Sequence, residues 1–230
     1  MPLWTDPYYP FAINNKMASK PIVVDVTRSA QNFDNEIAGL ADIITDFRDR
    51  NVEQICDLGA GKLRNTLFLL REGFTVCAVE HDLTFQRPQG HERLAKAKRF
   101  TRFNYVTPSA FASSDAEYDA ILLINIVNVV PSSSDQDEIV AASASHLRKG
   151  GLLVWMSHYG EPLYRRGATN RMRIPVGNGT GYFYNLGKQY QTFVQEFSIP
   201  EIRTVIPPSA FHELRQLNVR FHHAFVFERR

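Results

Sequence analysis

The stretch Ile55–Asn65, ICDLGAGKLRN, decides the fold of this chain. Apolar residues lead to Asp57, then Gly59 and Gly61 follow two residues apart, and a helical pattern begins at Leu63. Glycines let a backbone adopt positive φ and approach a ligand closely, while the start of a helix offers free N–H groups. The stretch therefore predicts a strand-to-helix turn that binds a nucleotide-like ligand at the C-terminal edge of a sheet.

Strand-like runs alternate with helical patterns on both sides of this turn. The predicted strands of this region are Val52–Leu58, Thr75–Val79, Phe103–Val106, Asp119–Val130 and Leu152–Ser157. Strands separated by helices of 10–15 residues predict βαβ units with right-handed crossovers. We therefore expect an α/β fold with a doubly wound, mostly parallel, seven-stranded sheet, an antiparallel C-terminal edge strand and helices on both faces. At the C-terminal end, Ala210–Asn218 is predicted as a helix and Phe221–Glu228 as the last strand.

Composition is typical of a globular chain with one large core. The 230 residues are 44% hydrophobic, and 26 basic side chains nearly balance 24 acidic ones. We expect an aromatic arm over residues 1–28 and a single domain over residues 29–230, with an insertion at about 158–208. The start lacks the pattern of a secretory signal, and no run reaches the roughly 18–20 apolar residues that span a bilayer. The two cysteines lie in apolar runs, so we expect reduced thiols and a cytoplasmic protein.

The glycine turn resembles the first motif of class I S-adenosylmethionine (SAM)-dependent methyltransferases, an acidic residue followed by Gly-x-Gly. Glu80 ends the next strand, Tyr118–Pro131 is similar to the fourth strand and its loop, and Leu147–Val154 to the turn into the fifth. Together these elements cover about residues 50–157. Within the family, the run GKLRNTLFLLREGFTVCAVE is most similar to small-molecule members such as the tellurite-resistance type.

The resemblance implies SAM as the cofactor and a Rossmann-like fold. In the family, a carboxylate at the position of Glu80 accepts hydrogen bonds from both ribose hydroxyls. The residue at the position of Asp57 orders the loop or contacts the methionine amino group. An acidic residue is usual after the third strand, but here Ser109 and Phe111 stand where adenine contacts are expected. Lys62 replaces a residue that is often small. The cofactor-binding residues implied in this way are Asp57, Gly59, Gly61, Arg64, Glu80, Ser109, Phe111 and Asn125.

Four residues at the C-terminal ends of the fourth and fifth strands are candidates for the catalytic side of the site. Asn125 and Asn128 either face the methyl donor and acceptor or cap the loop backbone. His158 either takes a proton from the acceptor or is structural, and Tyr159 is placed to shape the acceptor pocket. No His, Cys, Asp or Glu cluster has zinc-like spacing, so no metal is predicted.

Three functions remain open from the sequence. The first is a methyltransferase for a small-molecule acceptor. The second is a methyltransferase for nucleic acid or protein that uses two basic segments, residues 87–102 and 161–173. The third is a non-catalytic binding module or partner subunit, and the sequence leaves the oligomeric state open. The arginines of the second basic segment are Arg165, Arg166, Arg171 and Arg173.

Overall fold

The computed structural model describes residues 3–11, 22–28, 37–158, 172–176, 179–184, 191–219 and 222–230. Its strands are β1 (Tyr8–Phe11), β2 (Ile22–Asp25), β3 (Gln54–Leu58), β4 (Thr75–Val79), β5 (Phe103–Val106), β6 (Tyr118–Ile124), β7 (Leu147–His158), β8 (Met172–Val176), β9 (Gly179–Tyr184), β10 (Thr192–Glu196), β11 (Phe211–Val219) and β12 (His222–Arg229). Its helices are α1 (Leu40–Asp49), α2 (Arg64–Arg71), α3 (Asp82–Phe85), α4 (Pro88–Ala97), α5 (Pro108–Ala112), α6 (Ser133–His146) and α7 (Ile199–Val205).

The central sheet has seven strands in the order β11-β12-β7-β6-β3-β4-β5. Strands β3 to β7 pair in parallel, and β12 pairs antiparallel with both β7 and β11. The predicted α/β fold class, with its antiparallel C-terminal strands, is confirmed. The helix predicted at Ala210–Asn218 is wrong, because Phe211–Val219 pairs with β12 along its whole length. Pairing with a distant strand overrides the local helical pattern here.

Each face of the sheet carries its own hydrophobic core. On one face, Cys56, Leu58 and Ile121 pack with residues of α5, α6 and α7. On the other face, Ile55 and Leu122 pack with residues of α1, α2 and α4. This division follows from the alternation of side chains along a strand. Among the described residues, no helix is long and apolar enough to cross a membrane.

The strand predicted at Asp119–Val130 ends earlier, at Ile124. Asn125 adopts a left-handed conformation with φ 55°, and its amide donates to the carbonyl of Met156 at 2.8 Å. A short 3₁₀ turn, Val127–Val129, follows. The apolar pattern continues past the strand because this turn is also buried, so the pattern alone does not show where the strand stops.

The N-terminal arm and the insertion meet through backbone hydrogen bonds. Strands β1 and β2 form an antiparallel pair, and β8, β9 and β10 form a second small antiparallel sheet. Gln191, just before β10, donates its amide to Val23 at 2.9 Å and accepts from the amide of Asp25 at 3.1 Å. These contacts join two segments that lie far apart in the sequence.

Candidate active site

A cavity of about 350 Å³ lies at the C-terminal ends of β3, β4, β6 and β7. Its volume is within the range of small-molecule sites. Six residues predicted from the sequence as site residues line it: Gly59, Gly61, Arg64, Glu80, Asn125 and His158. The arm and the insertion complete the wall, so residues far apart in the sequence surround one space.

The glycine turn is held in left-handed backbone geometry. Gly59 has φ 73° and Gly61 has φ 54°. The amides of Gly59 and Ala60 both donate to the carbonyl of Val79, at 2.9 and 3.1 Å, which ties the turn to the end of β4. A Cβ on Gly59 would lie 2.6 Å from the Ile126 side chain, so glycine is required by space as well as by conformation.

Glu80 holds the turn through its carboxylate. Its Oε2 accepts from the amide of Gly61 at 2.6 Å, and its Oε1 accepts from the amide of His81 at 2.9 Å and from Thr84 Oγ1 at 3.1 Å. Burial raises the pKa of Glu80, while these three hydrogen bonds act in the opposite direction. Glu80 lines the cavity, and each carboxylate oxygen has lone pairs for further donors.

Asp57 lies behind the turn rather than on the cavity wall. Its side chain is buried, and its Oδ2 accepts from Thr66 Oγ1 in α2 at 2.5 Å. Burial raises the pKa of Asp57 to about 6, and the Thr66 hydrogen bond and the positive charge of Arg64 limit the rise. The Asp57 carboxylate thereby ties β3 to the first turn of α2.

The structure does not bring Ser109 and Phe111 to the cavity wall. The Phe111 ring is buried, stacked on Tyr118 with ring centres 6.3 Å apart, and 4.2 Å from the ring of His146. An apolar ring at this position gains more from the core than from a solvent-facing cavity. Pro108 is the residue of α5 that lines the cavity.

The two asparagines after β6 differ in their placement. Asn125 lines the cavity, and its left-handed backbone suits an asparagine. Asn128 lies in the 3₁₀ turn, is fully buried and is not on the wall. Neither amide atom of Asn128 has a hydrogen-bond partner among the described residues.

His158 is the last residue of β7 and lines the cavity. Its ring packs on that of His222 in β12, with centres 4.4 Å apart. Burial, then the neighbouring His222 and Arg64, lower the pKa of His158 to about 3. His158 is therefore neutral at pH 7 and a weak proton acceptor. Tyr159 lies outside the described residues.

Sequence reasoning missed the residues that the arm and insertion bring to the cavity. Trp4 and Tyr9 come from the arm, and Thr192 and Val194 come from β10. The aromatic composition of residues 1–28 was the available signal, but it named no individual residue. Lys62 also lines the cavity, and burial together with the nearby Arg87 and Arg93 lowers its pKa.

The first basic segment is partly engaged within the protein. Arg87 donates to Asp25 Oδ2 at 3.2 Å and to the carbonyl of Thr27 at 2.7 Å. Arg93 is buried and donates to the carbonyl of Lys62 at 3.3 Å. The exposed cations left in this segment include Lys98, Arg99 and Arg102. Arg165, Arg166 and Arg171, and the side chain of Arg173, lie outside the described part of the chain.

No protein-family model and no curated protein matches the sequence. Solved structures do match. A SAM-dependent methyltransferase from Clostridium acetobutylicum is 12% identical, with a TM-score of 0.60, over 81% of this chain and 88% of that one. An amino pentose methyltransferase of calicheamicin biosynthesis from Micromonospora echinaspora, with SAM bound, is 16% identical, with a TM-score of 0.56, over 83% and 89%. A glycopeptide N-methyltransferase complexed with sinefungin is 15% identical, with a TM-score of 0.58, over 85% and 96%. The chain therefore has the fold of the class I SAM-dependent methyltransferases.

Proposed function

We propose that this protein transfers a methyl group from SAM to a small-molecule acceptor. One observation carries the proposal: the left-handed glycine turn and the buried carboxylate of Glu80 line one cavity at the C-terminal edge of a methyltransferase-type sheet. A nucleotide-like ligand binds at this edge in open α/β sheets.

The residues present fit SAM. Glu80 would accept from the ribose hydroxyls, and the backbone from Gly59 to Gly61 is shaped for close approach of a ligand. Lys62 and Arg64 line the same cavity and would pair with the methionine carboxylate. When bound, SAM supplies an electrophilic methyl group on a sulfonium centre.

The work of the chain's own residues is alignment and exclusion of water. Methyl transfer leaves a neutral sulfide, so no strong acid is needed at the leaving group. Trp4, Tyr9 and Val194 close the cavity from the arm and from β10, over the strand ends. Such enclosure holds the reacting atoms in line and keeps competing water away.

A small acceptor suits a cavity of this volume. The amino pentose and glycopeptide N-methyltransferases with the same fold act on the compounds that their names state. Two arginines of the first basic segment, Arg87 and Arg93, are engaged in internal contacts, which weakens that segment as a nucleic-acid surface. Methyl transfer from labelled SAM into separated metabolite, RNA, DNA and protein pools distinguishes these acceptors.

Calorimetric titration with SAM tests the proposal. We expect micromolar binding by the wild type and loss of at least tenfold in affinity for Gly61→Arg, because Gly61 lines the cavity and its left-handed backbone disfavours any side chain. Gly150→Arg is the matched control, since Gly150 has φ 77° and open space around the position of a Cβ. No binding by the folded wild type, or wild-type affinity of Gly61→Arg, contradicts the proposal.

A further inference from the structure

A group of buried polar atoms at the arm side of the cavity has no well-formed hydrogen bonds within the described part of the chain. Trp4 Nε1, Tyr9 Oη and Asp135 Oδ2 are each buried without a well-formed hydrogen bond to any residue that the structure describes. Trp4 and Tyr9 line the cavity, and their side chains are 4% and 8% exposed. Buried polar atoms in proteins are almost always satisfied, so these atoms point to a ligand that supplies polar groups of its own.

Tyr9 lies on the wall and Asp135, in the first turn of α6, lies behind it. Burial raises the pKa of Tyr9 strongly, and the carboxylates of Asp135, Asp6 and Glu138 raise it further. The phenol therefore keeps its proton, and it lies close enough to Asp135 for the two groups to affect each other's pKa. Its lone pairs remain to accept from a ligand in the cavity.

Asp135 has no cationic partner among the described residues, although it is only 1% exposed. A buried carboxylate is costly unless a positive charge or several hydrogen bonds compensate it. Burial and the neighbouring Glu138 raise the pKa of Asp135, and its contact with Tyr9 lowers it. A positive charge on a ligand beside Tyr9 would supply the missing compensation.

The wall around this polar group is apolar. Val129 and Val130 come from the turn after β6, Ile139 from α6 and Val194 from β10. These side chains offer no hydrogen bonds, so they suit the hydrocarbon part of a ligand. The site thus combines an apolar wall with one buried, electronegative polar group.

Building on the methyltransferase function, we propose that the acceptor is an apolar amine, bound with its nitrogen against the Tyr9 hydroxyl. The acceptor binds as an ammonium ion and first gives one proton to solvent, which frees the nitrogen lone pair. The lone pair then forms the N–C bond to the methyl group while the C–S bond breaks and its electron pair stays on sulfur. The positive charge thereby moves to the nitrogen, where Tyr9 Oη and the Asp135 carboxylate stabilise it. The methylammonium product leaves as a cation, so one proton is released to solvent in each turnover.

The test measures binding, which does not depend on knowing the natural acceptor. The wild type is first titrated with S-adenosylhomocysteine; absence of binding at this stage contradicts the methyltransferase proposal itself. The saturated protein is then titrated with benzylamine, benzyl alcohol and benzoate. We expect benzylamine to bind at least tenfold more tightly than the other two, because only it carries a positive charge.

Two variants test whether Tyr9 and Asp135 bind the amine. Tyr9→Phe and Asp135→Asn are each expected to weaken benzylamine binding about 10- to 100-fold, the range for hydrogen bonds to charged groups. Both should keep wild-type affinity for S-adenosylhomocysteine, which shows that each is folded. Tyr118→Phe is the matched control, because Tyr118 is a buried tyrosine in contact with Cys77 and is not on the cavity wall.

Four outcomes contradict the amine proposal while leaving the methyltransferase intact. They are equal or tighter binding of benzyl alcohol, tighter binding of benzoate, no measurable binding of benzylamine, and unchanged benzylamine affinity in both variants. Methyl transfer from labelled SAM to benzylamine, lost in Tyr9→Phe but not in Tyr118→Phe, supports it through activity as well.

Discussion

Leu63 adopts a backbone conformation that leucine rarely occupies. It has φ 62° and ψ 22°, precedes the first residue of α2, and is fully buried. The left-handed region costs a non-glycine residue roughly 1–2 kcal/mol. The burial of the side chain offsets this cost. Packing, rather than backbone conformational preference, therefore determines the residue at this point of the glycine turn.

An alanine variant is usually more stable than a glycine variant at the same position. We therefore expect this order of stability to be reversed at position 63. Leu63→Ala loses the buried side chain and keeps the strain, whereas Leu63→Gly loses the side chain but relieves the strain. Both should be destabilised by about 2–5 kcal/mol, with Leu63→Gly more stable than Leu63→Ala by roughly 0.5–1 kcal/mol. Urea unfolding of both variants measures this, and a more stable alanine variant contradicts it.

Asp57 makes stability depend on pH. Its pKa is about 6 in the folded protein against 3.8 for an ordinary aspartate, so folding disfavours its ionised form. The resulting penalty, about 3 kcal/mol, is absent below pH 3.8, grows as pH rises to 6, and is fully present above it. Asp57→Asn removes this titration. We expect the stability of Asp57→Asn relative to wild type to increase between pH 5 and pH 8 by about 1–2 kcal/mol in urea unfolding. A pH-independent difference would contradict the raised pKa.

At the scale of elements, one buried carboxylate contributes to holding the arm in place. Asp25 is 2% exposed and accepts from Arg28 Nε at 2.9 Å, from Arg87 at 3.2 Å and from the hydroxyl and amide of Thr27. Its backbone amide also bonds to Gln191. The arm, the start of α4 and the insertion therefore converge on this residue.

Asp25→Asn should release the arm without unfolding the sheet. The substitution leaves the guanidinium groups of Arg28 and Arg87 without their shared counter-ion, which costs a few kcal/mol when a partly buried pair is broken. We expect amide hydrogen exchange at positions 25 and 191 to accelerate at least tenfold while the amides of β3 and β6 keep their protection. Asp46→Asn, which breaks the exposed pair with Arg215, is the control and should change neither set.

Elements were predictable where their signals were local. The parallel strands β3 and β4 and the helix between them follow from an apolar run, two glycines and a helical pattern within thirty or so residues of one another. The end of β6 and the identity of β11 were not predictable in this way. The left-handed backbone of Asn125 ends β6, and β11 is a strand because β12 lies beside it.

At the scale of the whole molecule, the net charge of +2 conceals an uneven distribution around the cavity. Lys62 and Arg64 line it beside the glycine turn, while the charges of Asp135, Asp6 and Glu138 raise the pKa of Tyr9 on the arm side. The first basic segment offers fewer positive charges to a partner than its sequence indicates, because Arg87 and Arg93 make contacts within the protein that stabilise the arm and the turn. This distribution is the basis for expecting a positively charged acceptor in the cavity.

The sequence by itself determined the strand, turn and helix that carry Asp57, Gly59 and Gly61, and the carboxylate of Glu80 at the next strand end. Those features depend on the spacing of apolar residues and on the backbone freedom of glycine. Both can be read from residues that are close together in the sequence. Only the tertiary structure decided that Phe111 enters the core and that Tyr9 meets Asp135 at the cavity. These contacts join residues far apart along the chain, so they exist only once the sheet has brought its helices and the arm together.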